Sequence, residues 1–432
     1  MKSRLVNFLK SINFFSNSQF GFREGLSTEM ALHNFISYLH NNLNSSNNKV
    51  SGIFLDVRKA FDTVNHEKLI LKLGKIGIRG IALNWFKSYL HDRKQFVSVG
   101  NVKSSMEIIR SGVPQGSVLG PILFLIYVND LYNGPFIGKI TAFADDTAIA
   151  YAASSKEALK VNIEQDLRYL SLWFSCNKLY LNIEKSFIVN FSLSKSFSFE
   201  NPIKFHIFNC ESSTCNCNEL PQSNCVKYLG LLVDEQLNWK SHINSIRNYL
   251  FMFLRKFYFL RPLCPDKVLL QLYYAFVNSK LNYGISCWGS TYATHVKPLV
   301  KIQKSYIRNI CRKGRQTESL PLFKGLKILP LKYLFVFKVL ILFFKISGNL
   351  GVIIDRSNIA NSATRQSKNL RLPKANSAFF QKTFVYLGPK FYNVIQKDKL
   401  RFQTAYSLKT SLKEYLLSLS TNEIDNLFFI LK

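Results

Sequence analysis

The chain has 432 residues, 47% of them hydrophobic, with 57 Lys and Arg against 26 Asp and Glu. That apolar content excludes a disordered tail and is enough for two or three domains or subdomains around a sizeable core. A formal net charge of +31 implies a polyanionic partner, and it is concentrated: residues 1–235 hold 25 basic and 19 acidic side chains, residues 236–432 hold 32 and 7. The second half therefore reads as the grip on a phosphate backbone.

Eight cysteines without a secretory signal at the start fit a reduced, intracellular setting. The greasiest run, Tyr333 to Phe344, is about half of what a membrane span needs and contains Lys338, so a buried helix is expected and no membrane partner.

In chain order, Met1 to Phe20 reads as a short helix and a loop. Ser27 or Thr28 can cap the next helix, whose Leu32, Phe35, Ile36, Leu39 and Leu43 recur at helical spacing. Asn41 to Asn48 is a polar loop. Val50 to Leu55 is an apolar run of strand length that ends on a carboxylate, Asp56. Helices are predicted over Glu67–Ile78 and Ile81–Leu90.

Gly112 to Gly120 is a turn rich in Gly and Pro that leads into an apolar helix from about Val118 to Leu131. Its glycines, Gly116 among them, permit close approach of backbone to a ligand, and Gln115 offers both a donor and an acceptor. Ile140 to Tyr151 then reads as strand, two-residue turn, strand, with Asp145 and Asp146 at the tip.

An amphipathic helix follows over Ser155–Trp173, with Leu159, Ile163, Leu167 and Leu170 inward, and then Asn177 to Lys185. The stretch 192–225 is the least regular. Half of the cysteines fall between 210 and 225, and His206, Cys210, Cys215 and Cys217 can place four soft ligands on one zinc ion; an ordinary loop is the alternative. From Ile243 to Phe344 helices interleave Arg255, Lys256, Arg261, Lys301, Lys304, Arg308, Arg312, Lys313 and Arg315 with aromatic residues, which suits a surface tracking phosphates. A polar segment, Asn358 to Asn376, precedes a last unit at Ala378–Leu417.

Two adjacent carboxylates at a buried hairpin repel each other unless a cation sits between them or both face water. With Asp56 on a neighbouring strand, three aspartates can meet. Such oxygen ligands suit Mg²⁺, and two ions flanking a phosphoryl group stabilise the attacking and leaving oxygens of an in-line displacement. Nucleotidyl transfer is the chemistry that this set predicts.

At these residues the chain resembles a known family. Phe54-Leu-Asp-Val-Arg-Lys-Ala-Phe-Asp62 and Phe143-Ala-Asp-Asp146 are similar to the palm motifs of reverse transcriptases from non-LTR retrotransposons of the jockey and LINE type. Gln19-Phe-Gly-Phe-Arg23, Gly112 to Leu131, Asn177 to Lys185 and Cys225 to Ile243 resemble further motifs of the same enzymes, in the same order. The resemblance implies an α+β right-hand polymerase fold: partial fingers over 1–50, a palm with interleaved fingers elements over 51–240, a helical basic thumb over 241–345 and a C-terminal extension over 346–432.

It also implies roles. Asp56, Asp145 and Asp146, with the Val57 carbonyl, would hold two Mg²⁺, for which Mn²⁺ can substitute, and Lys185 would protonate the departing pyrophosphate. Val57, Arg58, Lys59, Phe61, Gln115 and Gly116 would line the nucleotide, with the bulk of Phe61 refusing a 2′-hydroxyl. Arg23 and the Tyr228-Leu-Gly230 stretch would lie along template and primer.

The implied partners are an RNA template, a DNA primer and deoxynucleoside triphosphates, in a ribonucleoprotein of nucleus and cytoplasm. Family members carry a basic fingers segment and an endonuclease domain ahead of these motifs, and neither is recognised in this sequence. Endonuclease activity would then come from elsewhere. A remnant that binds nucleic acid without catalysis is the alternative reading.

Overall fold

The computed structural model describes residues 1–45, 48–194, 197–206, 210, 217–350, 370–395 and 405–429. They form two compact units, Met1–Phe35 with Asn47–Leu229 and Ile36–Ser46 with Gly230–Lys432.

The first unit is built on a four-stranded antiparallel sheet. Lys49–Leu55 (β1) lies inside it, because every residue after Lys49 is buried and an edge position would leave that apolar run in water. Lys139–Phe143 (β2), Asp146–Ala153 (β3) and Phe187–Phe191 (β4) complete the order β2-β3-β1-β4. The register pairs Leu55 with Thr147 and Ile53 with both Ile149 and Ile188.

On one face Ile53, Leu55, Ile140, Ile149 and Ile188 share a core with helices Gly120–Val128 and Lys156–Cys176. The first of these helices is apolar all round, starts with Pro121 in its first turn, and is buried over almost its whole length. Each fully buried side chain of this kind contributes about 1.5–3 kcal/mol. On the other face Phe54 meets Phe35 and Tyr228, with ring centroids 5.3 Å away in each case. Gly52 leaves room there, since a Cβ on it would sit 3.0 Å from the rings of Phe35 and Phe191.

The helices lie close to their predicted bounds. Ser27 caps Thr28–Leu43 by accepting from the Met30 N–H, Asn65 caps His66–Lys75, and Ser155 caps Lys156–Cys176. The apolar helix is shorter than the hydrophobic run that announced it. It covers Gly120–Val128, because the Ser117 hydroxyl accepts the Gly120 N–H at its start, and a single turn of 3-10 helix at Leu131–Asn133 follows its end.

The second unit is helical. Lys240–Leu260 and Ala293–Ile310 pack together, with the Tyr306 hydroxyl donating to the Leu250 carbonyl at 2.7 Å. Buried Gln303 fixes the neighbouring turns: its amide donates to the Tyr273 hydroxyl and the Leu329 carbonyl and accepts from the Leu331 N–H. The greasy run lies within helix Leu331–Leu350, and no helix among the described residues is long and apolar enough to cross a membrane.

Candidate active site

The strand that carries Asp56 and the hairpin that carries the acidic pair are direct neighbours. In the register Leu55↔Thr147, Asp56 is the residue after Leu55 and Asp146 the residue before Thr147, so the two stand across from each other where β1 ends and β3 begins. The turn itself is Ala144-Asp145, one residue earlier than the sequence suggested, because β2 and β3 stay paired out to Phe143↔Asp146. Asp145 thus sits in the turn and Asp146 in the strand. All three carboxylates feel one another.

Burial, followed by the charge of Asp56, holds the Asp145 carboxyl above the usual carboxylate range, against a backbone hydrogen bond that acts the other way. Asp146, whose side chain still reaches water, is pushed up to about 6, by the protein mass around it first and by the charges of Asp145 and Asp56 next. This is a site that lacks positive charge.

A carboxyl whose folded pKa lies above its unfolded value costs nothing below about pH 4 and costs most once pH has passed the folded value. With Asp146 at about 6, the metal-free chain should lose stability as pH rises from about 4 to about 7. Asp146→Asn should flatten that slope and raise Tm in EDTA at pH 7.5 by on the order of 1–2 °C, read from thermal melts.

The turn is held in a conformation it would not choose alone. Ala144 has φ of 59°, a left-handed geometry that costs a non-glycine residue about 1–2 kcal/mol. Gln19, 125 residues away in sequence and 1% exposed, offsets this with one side-chain amide. Its Oε1 accepts the Ala144 N–H at 2.9 Å and the Gly21 N–H at 2.7 Å, and its Nε2 donates to the Ala144 carbonyl at 3.2 Å. The buried Tyr132 hydroxyl also donates to that carbonyl.

Backbone bonds from Phe20 to Ala142 and from Ala142 to Ser18 lay this segment along β2. Gly21 is there because nothing larger fits: a Cβ would stand 2.3 Å from the Ala144 nitrogen. Sequence reasoning passed over Gln19, Gly21 and Tyr132. The signal was the Gln-x-Gly spacing ahead of Arg23, which drew attention only to the arginine. Arg23 itself is turned inward, with Nη1 donating to the Ser16 and Gln19 carbonyls at 2.6 and 2.9 Å and the guanidinium 5.6 Å from the Phe15 ring.

Around Asp56 the predicted residues converge. The Asp56 N–H donates to the Ser186 hydroxyl and its carbonyl accepts the Asn182 N–H, while Arg58 N–H donates to the Tyr180 carbonyl. Val57 bridges Leu181 without committing its own carbonyl to that ladder. Lys185 is exposed at the end of the 3-10 turn Ile183–Lys185, next to the Ser186 that grips Asp56. Arg58 and Lys59 are exposed, and Lys59 takes φ of 47° as the chain turns back.

Phe61 stacks on Phe124 at 4.4 Å and meets Phe22 edge-on, so its ring is fixed by packing while it stays half-buried. The Gly112–Gly116 loop docks on this turn: Val113 N–H donates to the Phe61 carbonyl, and Gln115 Nε2 to Asp62 Oδ1 at 2.7 Å. Gly112 has φ of 92° and no room for a Cβ, which would lie 2.8 Å from the Asp62 carbonyl oxygen. Gln115 and Gly116 are exposed on this loop.

The last predicted stretch divides. The Tyr228 ring is buried against Phe35 and Phe54, with its hydroxyl donating to the Thr141 carbonyl of β2, so it braces the sheet that carries the hairpin. Leu229 and Gly230 follow with φ of 43° and 83°, a tight turn whose exposed member is Gly230. Of the four soft ligands, His206, Cys210 and Cys217 come together, and Cys215 lies outside the described residues.

Three carboxylates meeting at the end of an antiparallel sheet, beside a fixed aromatic ring and a glycine-rich loop, define the arrangement of a nucleotidyl-transfer site. Residues 1–233, more than half of the chain, match the family described as reverse transcriptase (RNA-dependent DNA polymerase), and the chain belongs to that family. The four-stranded sheet is accordingly the palm of a right-hand polymerase.

Among curated relatives, the chain is 30% identical over 314 residues to the probable RNA-directed DNA polymerase from transposon X-element of Drosophila melanogaster, a match that takes in 71% of this chain and 33% of the relative. It is 28% identical over 306 residues to the RNA-directed DNA polymerase from mobile element jockey of the same species, covering 68% and 31%. The jockey-type resemblance is thus borne out, and the chain spans about a third of the length of these relatives. Among solved structures, apo telomerase from Candida tropicalis is similar at 14% identity and a TM-score of 0.37, over 75% of this chain and 57% of that one.

Proposed function

We infer that this chain is the polymerase part of a non-LTR retrotransposon reverse transcriptase and copies RNA into DNA. The observation that carries the reading is the meeting of Asp56, Asp145 and Asp146 where the strands come together, with the carboxyls of Asp145 and Asp146 raised by burial and by neighbouring negative charge, a donor set short of cations. Carboxylate and carbonyl oxygens suit Mg²⁺, or Mn²⁺ in its place, and Asp56, Asp145, Asp146 and the Val57 carbonyl are the residues that would hold it. Bound there, a pair of such ions lowers the pKa of a primer 3′-hydroxyl and neutralises a triphosphate.

The chain's own residues supply the rest. Arg58 and Lys59 offer positive charge beside the phosphates, Gln115 and the Gly116 backbone approach the base and sugar, and Lys185 is the proton donor to the departing pyrophosphate. Arg23 acts on the template by holding its loop in shape, and the Leu229-Gly230 turn approaches the primer. The division into partial fingers (1–50), palm (51–240), thumb (241–345) and C-terminal extension (346–432) belongs to this reading.

Exposed Arg255, Lys256, Lys301, Arg312, Lys313 and Arg315, beside exposed Phe251, Tyr258 and Phe259, support the second unit as the surface that follows a template and primer backbone. The working place is a ribonucleoprotein of nucleus and cytoplasm, with endonuclease activity from another segment or chain. The test is incorporation of deoxynucleotides directed by an RNA template.

Phe61 makes a second, sharper test. Its ring is pinned between Phe124 and Phe22 beside the nucleotide loop, so its edge is a fixed wall for the sugar. Phe61→Ala should raise the use of ribonucleotides relative to deoxynucleotides by about 10-fold or more, measured as the ratio of kcat/KM values. Unchanged discrimination would remove Phe61 from the role.

A further inference from the structure

The geometry points to a zinc site at the tip of a ribbon between β4 and the strand Cys225–Tyr228, held by His206, Cys210 and Cys217. An antiparallel bridge joins Lys204 to Glu219, and the bonds Phe205 N–H to Asn218 carbonyl (2.9 Å) and Leu220 N–H to Ile203 carbonyl (2.8 Å) fix the register. Ile203, Phe205 and Leu220, 2%, 7% and 3% exposed, root the ribbon in the palm core. In that register His206 stands across from Cys217, the distance at which cross-strand side chains meet. Cys210 is brought back to the pair, so that one ligand atom of each of the three lies within 4.8 Å of the others.

Two ligands are therefore preset by a ribbon that the core anchors. In a tetrahedral zinc site neighbouring sulfur and nitrogen ligands lie roughly 3.5–3.8 Å apart, so closing this site takes about an ångström.

The donor chemistry selects the ion. Thiolate sulfur and imidazole nitrogen are the ligands of zinc and do not suit the Mg²⁺ of the catalytic centre. Neither Cys210 nor Cys217 takes part in a disulfide. Two thiolates and a neutral imidazole balance the double charge of the ion, and the fourth position remains for water or a further donor. All three residues are half-buried, where an ion can enter.

The ribbon leads through Pro221 and Ser223, which bond both backbone groups of Ile188 in β4, directly into the strand that ends at Tyr228. An ion held there would tie His206, Cys210 and Cys217 together ahead of this strand. The role is structural and independent of nucleotidyl transfer.

The test is metal analysis of the full chain purified from zinc-supplemented expression under reducing conditions. About one zinc per chain is expected, released by thiol modification, with Co²⁺ replacing it to give a thiolate-to-cobalt charge-transfer band and the intense visible bands of a tetrahedral site. Cys210→Ser, Cys217→Ser and His206→Ala should each lower the zinc content to about a tenth, whereas Cys176→Ser, at an exposed cysteine outside the ribbon, and Asp145→Asn should keep it. If a ribbon variant fails to fold, the cobalt spectrum of the wild-type chain still decides. A folded wild-type chain without stoichiometric zinc and without the thiolate band would overturn the site. A Cys210–Cys217 disulfide, bound copper in place of zinc, or full retention of zinc by both cysteine variants would overturn it equally.

Discussion

Asp145→Asn is expected to lower primer extension by about 10³-fold or more while leaving the affinity for RNA within about twofold. The first half follows from geometry. Asp145 occupies the turn between β2 and β3, Asp146 opens β3, and Asp56 faces Asp146 at the end of β1, so the three share one small volume. Converting one carboxylate to an amide removes an anionic oxygen donor without changing shape. The remaining pair keeps too little charge to hold cations against a triphosphate.

The second half follows from the charge distribution. The basic excess lies in residues 236–432, and phosphate contacts there set affinity through counterion release. Wild type and variant should therefore lose RNA binding in parallel as salt is raised. Asp145→Asn should also be no less stable than wild type in EDTA at neutral pH, because burial and Asp56 oppose the charge it removes. A variant that is inactive because it is unfolded would show the opposite.

Gly21→Ala is expected to lower extension by about 100-fold, although Gly21 touches no reacting atom. The added Cβ would lie 2.3 Å from the Ala144 nitrogen, a contact with backbone that no rotamer change relieves. Either the 18–21 segment lifts away from β2 or the turn moves. Displacing a catalytic group by about 1 Å costs on the order of 10²-fold, and overpacking costs about 1–3 kcal/mol of stability. Gly74→Ala is the control, since a Cβ there meets nothing within 4 Å inside helix His66–Lys75. It should stabilise the chain by about 0.5–1 kcal/mol and leave extension unchanged. Equal extension by wild type and Gly21→Ala would show that the packing of the 18–21 segment on the Ala144 turn does not position the carboxylates.

The elements of the palm were legible because burial writes a period into sequence. β1 and the 140–151 hairpin showed as apolar runs ending on carboxylates, and the helices announced themselves through the Ser27 cap and through their spacing. What could not be read was the exact turn. Ala144 is an unusual residue for φ of 59°, and its conformation depends on Gln19, whose amide arrives from 125 residues away.

The internal bonds of Arg23 were hidden for a related reason. A side chain's type says that it can bind phosphate, whereas two nearby carbonyls decide that Nη1 is occupied within its own loop. Tyr228 is similar: the Tyr-Leu-Gly pattern marks a tight turn, but only the packing of Phe35 and Phe54 around the ring shows that the tyrosine faces inward. Of the His and Cys cluster, only proximity along the chain was legible. The ribbon that sets His206 across from Cys217 is a product of its buried Ile203, Phe205 and Leu220.

The measurement that bears most directly on the central claim is primer extension by the purified wild-type chain on a heteropolymeric RNA template with deoxynucleotides and Mg²⁺, beside the Asp145→Asn, Asp146→Asn double variant. The account predicts template-directed DNA from the wild type alone. No extension by the wild type, with salt-sensitive RNA binding equal in both proteins, would contradict it and leave a protein that binds RNA without copying it.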